Sequence, residues 1–352
     1  MKSRILRSLA TLTGTVALGA LAGQALAQSR DLTVVSWGGT FQDAQKEVYF
    51  KPYVAAGNKM TEDSWDGGIG VLRTKIKGGN NNWDVVQVEA PDVEVGCDEG
   101  LFEKIDYSKI GGADRYLSNT MSPCAIGSVI TALVVAYDAD KLKVGPKDWA
   151  DFFDNKKFPG KRAIRNDAKF NLEAALLADG VAHKDVYRLM RTPEGVDRAF
   201  KKLDTIKNDL VFWKAGAQPP QMLAAGDVVM STAYNGRISA ANVKDKKNFK
   251  SVWKDAPTTM DSWVILKGTP QKANAEKFLE FVGRPELQAN LPKYIRYGVP
   301  AKAATALIDK ELMPDMPTNP ANAKVAFAED VRFWIDNGDK LTERWIQWTG
   351  SK

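Results

Sequence analysis

The sequence has very few of the residues on which most hydrolases and zinc enzymes depend. It contains one histidine, His183, and two cysteines, Cys97 and Cys124, among 352 residues. A Ser-His-Asp or Cys-His site would have to use His183, which lies in the polar stretch 182–185 typical of a solvated surface. One imidazole is too few for a histidine-rich zinc site. The sequence therefore disfavours nucleophilic and zinc chemistry, and we predict no cofactor and no metal.

Internal repeats and phosphate-binding motifs are absent as well. The lack of repeats disfavours an adhesive or structural envelope protein. The glycines and asparagines at 78–82 do not have the spacing of a phosphate-cradling motif, so we interpret them as a loop. Hydrophobic residues make up 44% of the chain and charged residues 26%, which is typical of a soluble globular protein and not of a disordered one.

The N-terminus has the composition of a secretory signal peptide. Lys2, Arg4 and Arg7 precede the apolar and small residues 9–23, and residues 25–27 form the Ala-Leu-Ala pattern of a cleavage site. The apolar run is too short to span a bilayer. The absence of any cysteine before Cys97 excludes a lipid anchor near that site. We therefore predict a signal peptide over residues 1–27 and a mature protein in the periplasm.

The basic balance of the chain largely disappears with this signal peptide. The formal net charge of +6 includes its three basic residues, so the mature chain carries +3. A charge of this size, spread over a large protein, does not indicate a nucleic-acid partner.

The chain has an even number of cysteines, two, and an oxidising compartment favours a disulfide between them. We predict a disulfide between Cys97 and Cys124 that closes a loop of under thirty residues. Two unpaired buried thiols are the alternative.

Short β-branched strands alternate with helical segments in the mature chain. Strands are indicated at 32–37 and 83–88, and apolar residues have helical spacing at 41–53. The alternation predicts an α/β architecture with mostly parallel sheets, in which ligands bind beyond the carboxyl ends of the strands. Trp37 and Glu89 both fall at such ends and are the first candidate site residues.

Two further apolar strands indicate that the chain passes between two lobes. A chain of this length exceeds what one hydrophobic core usually holds. The strand at 129–137 is long enough to cross between lobes, and the strand at 262–266 carries the chain back. We therefore predict an interlobe cleft with a hinge in the crossing strands. The predicted lobes are residues 28–135 with 263–307, and residues 136–262 with 308–352.

Several short motifs, each weak alone, occur in an order typical of one family. They are Ser36-Trp37-Gly38-Gly39, Trp83-Asp84-Val85-Val86, Glu99-Gly100-Leu101, Trp149-Ala150-Asp151-Phe152, Tyr234-Asn235-Gly236-Arg237, Met260-Asp261-Ser262 and Tyr297-Gly298-Val299-Pro300. Through them the mature chain resembles the periplasmic spermidine/putrescine-type binding proteins of ABC importers. The resemblance implies a type II periplasmic binding protein fold with two lobes and a double crossover hinge. It also implies a protein that captures a small linear amine-bearing solute and delivers it to a membrane permease.

The resemblance further implies an aromatic box and acidic residues that hold an extended amine. Trp37, Tyr234 and Tyr297 occupy box positions. Asp261 falls at the main amine-binding aspartate of the family, and Asp167 falls at a second acidic position. These residue types suit the role, because an ammonium that leaves water needs charge-assisted acceptors and is stabilised by aromatic faces.

Three positions depart from the polyamine binders. Phe170 replaces an acid, Glu89 replaces a serine, and Arg237 replaces a small residue beside the box. An arginine in the cleft repels a diamine but can hold a carboxylate with two hydrogen bonds. Arg237 opposite Asp261 therefore favours a zwitterion with separated charges, such as γ-aminobutyrate. The alternative is that Arg237 pairs with Glu89 or Asp167, which would leave net acid for a polyamine.

The sequence is compatible with two classes of function. The leading hypothesis is a solute-binding protein, a monomer whose hinge moves freely. The alternative is a periplasmic hydrolase or lyase that uses cleft carboxylates, although the sequence offers no pairing of a nucleophile with a base. Each candidate residue also has a structural alternative: the aromatic residues as core, Asp261 as a turn cap, and Arg237 as an ion-pair partner.

Overall fold

The computed structural model describes residues 30–79 and 81–350. The predicted signal peptide, residues 1–27, lies outside the described residues. Within the described part of the chain, no helix has the length and apolar character that crossing a membrane would require.

Strands and helices alternate along the chain, as the apolar patterns predict. The strands are β1 (Leu32–Ser36), β2 (Met60–Ser64), β3 (Val85–Glu89), β4 (Met121–Ser122), β5 (Ala125–Asp138), β6 (Arg162–Arg165), β7 (Leu210–Trp213), β8 (Met230–Tyr234), β9 (Phe249–Val252), β10 (Pro257–Ile265) and β11 (Phe327–Ala328). The α-helices are α1 (Gly39–Gln45), α2 (Lys51–Ala55), α3 (Ile69–Lys77), α4 (Ala90–Asp98), α5 (Trp149–Phe152), α6 (Asn171–Ala178), α7 (His183–Met190), α8 (Pro193–Asp204), α9 (Gln218–Ala225), α10 (Asn235–Asp245), α11 (Lys272–Val282), α12 (Pro285–Gln288), α13 (Ala304–Leu307), α14 (Pro320–Val325) and α15 (Val331–Gly350). A π-helical turn, Lys46–Phe50, joins α1 to α2, so the helix predicted at 41–53 is confirmed.

The strands form a mixed sheet in the order β2-β1-β3-β10-β5-β8-β6-β7. β1 is parallel to β2 and β3, and β6 is parallel to β7 and β8. Between these two groups, β10 and β5 run antiparallel to each other, and they also run antiparallel to the flanking strands β3 and β8, respectively. The prediction of mostly parallel strands therefore holds within each outer group but not at the centre, where the two long strands pass each other in opposite directions.

The long strand β5 takes part in both halves of the sheet. Its first residues pair with β4 and β10, and the segment 133–138 pairs with β8 and β9. The strand predicted at 129–137 is therefore part of β5, which is buried along most of its length. A single continuous strand thus connects the two halves.

Hydrophobic clusters cover both faces of the sheet. In β1, Val34 packs in a cluster with Phe41 and Phe278, whereas its neighbour Val35 packs with Trp65 on the opposite face. Successive side chains of a strand point to opposite faces, so a strand covered on both sides is apolar at consecutive positions. This explains the uninterrupted β-branched run of the first strand.

A disulfide joins α4 to the start of β5. Cys97 and Cys124 are bonded, with their Cα atoms 5.7 Å apart and 27 positions apart in the sequence. The predicted pairing is therefore confirmed, and the alternative of two free thiols is excluded. In the chain-entropy model, a loop of this size stabilises the folded protein by about 3 kcal/mol.

Replacing both cysteines by alanine is therefore expected to lower the free energy of unfolding by about 3 kcal/mol, because the unfolded chain regains the entropy of the open loop. Chemical unfolding of C97A/C124A and of the oxidised wild type measures the difference. The reduced wild type is the control and should match the variant. An oxidised wild type no more stable than the variant would contradict the expectation.

Candidate ligand-binding site

A cavity of about 50 Å³ lies at the carboxyl ends of β1, β3 and β8 and beside β5 and β10. This volume is several times the minimum that one buried water requires. Six of the seven predicted binding residues line it: Trp37, Glu89, Tyr234, Arg237, Asp261 and Tyr297. The other lining residues are Phe41, Trp65, Asp66, Thr131, Arg165, Lys214, Ala215 and Gly216. The structure therefore brings together residues that are up to 260 positions apart in the sequence.

The seventh predicted residue, Asp167, lies in an adjoining cavity and not with the other six. Its carboxylate accepts a hydrogen bond from the Lys169 backbone N–H at 3.0 Å, which stabilises the turn before α6. Phe170, which stands at a family acidic position, is fully buried against Trp213 and does not line the cavity. Neither residue brings an acid to the cavity.

Arg237, in the first turn of α10, is the cavity residue whose pairing the sequence left open. Its side chain is buried, and Nη1 and Nη2 donate to the backbone carbonyls of Gly38 and Trp37 at 2.9 and 3.2 Å. Among the described residues, no carboxylate lies within ion-pair distance of it, so Arg237 pairs with neither Glu89 nor Asp167. A full positive charge thus lies beside the cavity without a carboxylate partner.

Within the described ranges, three buried polar atoms of cavity-lining residues find no hydrogen-bond partner. They are Nε of Arg237, Nε1 of Trp37 and Oγ1 of Thr131. Arginine and indole nitrogens only donate hydrogen bonds, and a hydroxyl can do so. An unpaired buried polar group costs about 1–3 kcal/mol and is rare in folded proteins. Three such groups around one cavity favour a ligand that brings acceptor oxygens.

Asp261 is the cavity carboxyl that can become the counter-ion of a cationic ligand. It lies in β10 opposite Glu89 of β3, at the position where the register between β10 and β5 shifts. Such bulges often redirect a side chain towards a site. Burial, and next the charge of Glu89, raise the pKa of Asp261 to about 8. Among the described residues, no basic group lies within ion-pair distance of Asp261, so an ammonium ion is the partner that would stabilise its ionised form.

Glu89 also faces the cavity, but both of its oxygens are occupied. Oε1 accepts a hydrogen bond from Nη1 of Arg165 at 2.8 Å, and Oε2 accepts one from Nζ of Lys169. Burial alone would raise the pKa of Glu89, but the charges and hydrogen bonds of these two residues outweigh it and hold the pKa well below its usual range. Glu89 is therefore ionised and already neutralised.

Aromatic rings form much of the remaining wall. Trp37 stacks on Trp65 with ring centres 5.4 Å apart, and Tyr297 packs edge-on against Phe41 at 5.2 Å. The Tyr234 hydroxyl accepts a hydrogen bond from Nη1 of Arg165 at 2.7 Å. These rings offer apolar faces to a methylene chain and π faces to a cation.

Glycine is needed where the chain passes Arg237. Gly39 has a φ of 54°, in the left-handed region that residues with a Cβ rarely adopt. A Cβ at this position would lie 3.1 Å from Nη1 of Arg237. The Trp-Gly-Gly motif therefore serves two purposes, since it positions Trp37 at the cavity and leaves room for the guanidinium group.

The family model of bacterial extracellular solute-binding proteins matches residues 58–324 of the chain. The chain belongs to this family. It is 44% identical over 330 residues to a gamma-aminobutyric acid-binding protein of Pseudomonas aeruginosa, with 94% of each chain covered.

Solved structures agree with the family. An ABC transporter substrate-binding protein from Bradyrhizobium japonicum has a TM-score of 0.80 and 35% identity, with 91% of this chain and 99% of that chain covered. A GABA receptor structure has a TM-score of 0.79 and 33% identity, with 92% and 98% covered. The predicted α/β periplasmic binding protein fold is therefore confirmed. So is the prediction of an ABC-transporter solute-binding protein rather than an enzyme.

Sequence reasoning missed four charged residues of this solute-binding protein. Asp66, Arg165 and Lys214 line the cavity, and Lys169 lines the adjoining one. Arg165 ends β6, and Lys169 lies in the turn before α6. The available signal was the position of Arg165 at the carboxyl end of a strand, with Lys169 shortly after it, because such ends meet at one edge of a parallel sheet. Their pairing with Glu89, which lies 76 and 80 positions away, has no local signature. No group of three or more potential metal-binding side chains occurs in the described ranges.

Proposed function

We propose that this solute-binding protein captures an ω-amino acid such as γ-aminobutyrate and delivers it to the permease of an ABC importer. One observation carries the proposal. Two residues that have no ion-pair partner in the described part of the chain, the buried Arg237 and Asp261, line the same small cavity. Both charges are satisfied at once by a ligand with a carboxylate at one end and an ammonium at the other.

The unpaired polar atoms give each end of the ligand its partners. The carboxylate would accept hydrogen bonds from Nε of Arg237 and Nε1 of Trp37, two buried nitrogen donors that have no partner among the described residues. The ammonium would donate to Asp261, and the rings of Trp37 and Tyr297 would pack against the methylene chain. The names of two similar proteins, a GABA receptor and the gamma-aminobutyric acid-binding protein of P. aeruginosa, agree with this class of ligand.

We further propose that ligand binding closes two lobes, residues 28–135 with 263–307 and residues 136–262 with 308–352. Three contacts around the cavity would then join the lobes. Arg237 donates to the carbonyls of Trp37 and Gly38, and Arg165 and Lys169 bind Glu89. Hinge closure of this kind converts ligand contacts on both sides into a change of conformation. We also propose that the protein is a monomer in the periplasm and that its permease recognises the closed form.

A thermal-shift screen of refolded, ligand-free protein tests the ligand class. γ-Aminobutyrate and 5-aminovalerate are expected to stabilise it by about 2.7 kcal/mol at 100-fold excess over the dissociation constant. n-Butylamine and butyrate, which each lack one charge, are matched controls and should stabilise it much less. A shift with putrescine or spermidine alone would contradict the proposal. A shift with none of these compounds would refute the ligand class.

A further inference from the structure

We propose that Arg165 and Lys169 limit the cavity to ligands with one ammonium group. Together they occupy Glu89 and prevent it from binding a second ammonium. The inference rests on the proposed function and extends it to the selection of ω-amino acids over diamines. It concerns residues that no sequence motif brings into the site.

Two carboxylates are placed side by side at the cavity. Glu89 and Asp261 are direct partners in the antiparallel pairing of β3 with β10, and both line the cavity. Directly opposed residues of such a pair have Cβ atoms about 5 Å apart. Two ionised carboxylates at this spacing, free of other partners, would attract two cationic groups or a single dication.

In the folded protein, one of these two carboxylates, Glu89, is already bound by other side chains. Arg165 binds one oxygen of Glu89 at 2.8 Å, and Lys169 binds the other. Each cation is also held elsewhere, since Arg165 donates to the Tyr234 hydroxyl at 2.7 Å and Lys169 lies 3.4 Å from Glu329. The side chains of both cations are largely shielded from solvent, with exposed fractions of 14% and 7%. Glu89 is therefore part of a closed ion-pair cluster, and of the two opposed carboxylates only Asp261 remains for an incoming ammonium. Asp66, the third carboxylate that lines the cavity, is exposed to solvent.

Lys169 acts through Glu89 and not on the ligand. It lines the adjoining cavity and does not line the cavity that holds Arg237 and Asp261. It is thus a positioning residue, and its removal should change the preference between ligands of different charge while Arg237 and Asp261 remain in place.

The wild-type protein provides the first test, by isothermal titration calorimetry with n-butylamine and putrescine. With Glu89 occupied, the second ammonium of putrescine gains no partner at that carboxylate and faces Arg237. Putrescine is therefore expected to bind no more tightly than n-butylamine. Putrescine binding tenfold or more tightly would overturn the inference. If γ-aminobutyrate itself does not bind, the proposed function fails, which is a distinguishable result.

The variant K169Q provides the second test. It frees one oxygen of Glu89, so the affinity for putrescine relative to γ-aminobutyrate is expected to rise at least about tenfold. K169R retains the cation and should keep the wild-type ratio, whereas E89Q/K169Q should lose the gain because the second acceptor is gone. An unchanged ratio in folded K169Q, or a gain that persists in E89Q/K169Q, would overturn the inference. If K169Q does not fold, the wild-type comparison decides alone.

Discussion

The variant R237Q is expected to bind γ-aminobutyrate at least about 100-fold more weakly than the wild type. Truncating one partner of a buried charge pair typically costs about 2–5 kcal/mol, and a factor of ten corresponds to about 1.4 kcal/mol. The guanidinium is buried beside the cavity and has no carboxylate partner among residues 30–79 and 81–350, so the ligand carboxylate would be its counter-ion. The affinity for n-butylamine should not fall, because this ligand has no carboxylate and Asp261 is unchanged.

Titration calorimetry of both ligands separates a local loss from a general one. K244Q is the matched control, because Lys244 lies on the same helix, α10, and carries the same charge on an exposed side chain. R237Q also removes the hydrogen bonds to the carbonyls of Trp37 and Gly38, so its thermal unfolding is measured in parallel. Equal losses for γ-aminobutyrate and n-butylamine would contradict the assignment of Arg237 as the carboxylate-binding residue.

The variant D261N is expected to weaken γ-aminobutyrate and n-butylamine together, by about 100-fold, and to remove the pH dependence of binding. The pKa of Asp261 is raised to about 8 by burial and by Glu89, so the ligand-free carboxyl is largely protonated at pH 7. An ammonium needs the ionised form, and binding must therefore release a proton. Wild-type affinity should rise by up to about tenfold per pH unit between pH 6 and 8 and then level off.

Titrations at several pH values, in buffers of different ionisation enthalpy, measure both the affinity and the released proton. Affinity that is constant, or that rises towards acidic pH, would refute this role.

The effect of pH on folding stability has the opposite sign to its effect on binding. Because the pKa of Asp261 is raised, the ligand-free folded protein keeps this proton up to a higher pH than the unfolded chain does. Its free energy of unfolding should therefore fall as the pH rises from about 4 to about 8. D261N should lack that contribution, which serves as a folding control.

Sequence patterns located those parts of the site that lie at the ends of predictable strands. Trp37 and Glu89 follow short apolar strands, and parallel strands bring their carboxyl ends to one edge. Arg237 and Asp261 were predicted from the family resemblance and from the two charges of a zwitterionic ligand. Their meeting in one cavity depends on β5 and β10, whose antiparallel pairing a local pattern does not reveal.

The partners of the charged residues could not be predicted in the same way. Arg165 and Glu89 are far apart in the sequence, and only the folded chain decides which acid a given cation reaches. Asp167 shows the limit of a motif match, since it matches a family position but lines the adjoining cavity, where its carboxylate accepts the Lys169 backbone N–H. Residue type indicated the chemistry of the site, but tertiary packing assigned the partners.

The disulfide has a consequence for when the site becomes complete. Helix α4 begins directly after Glu89, and Cys97 near its other end is tied to Cys124 beside β5. The cytoplasm keeps thiols reduced, whereas extracytoplasmic compartments allow them to pair. The helix that follows Glu89 would thus gain its covalent anchor only after export. A chain still inside the cell would lack the bond that holds the segment beside Glu89, and only the oxidised protein would present the complete site.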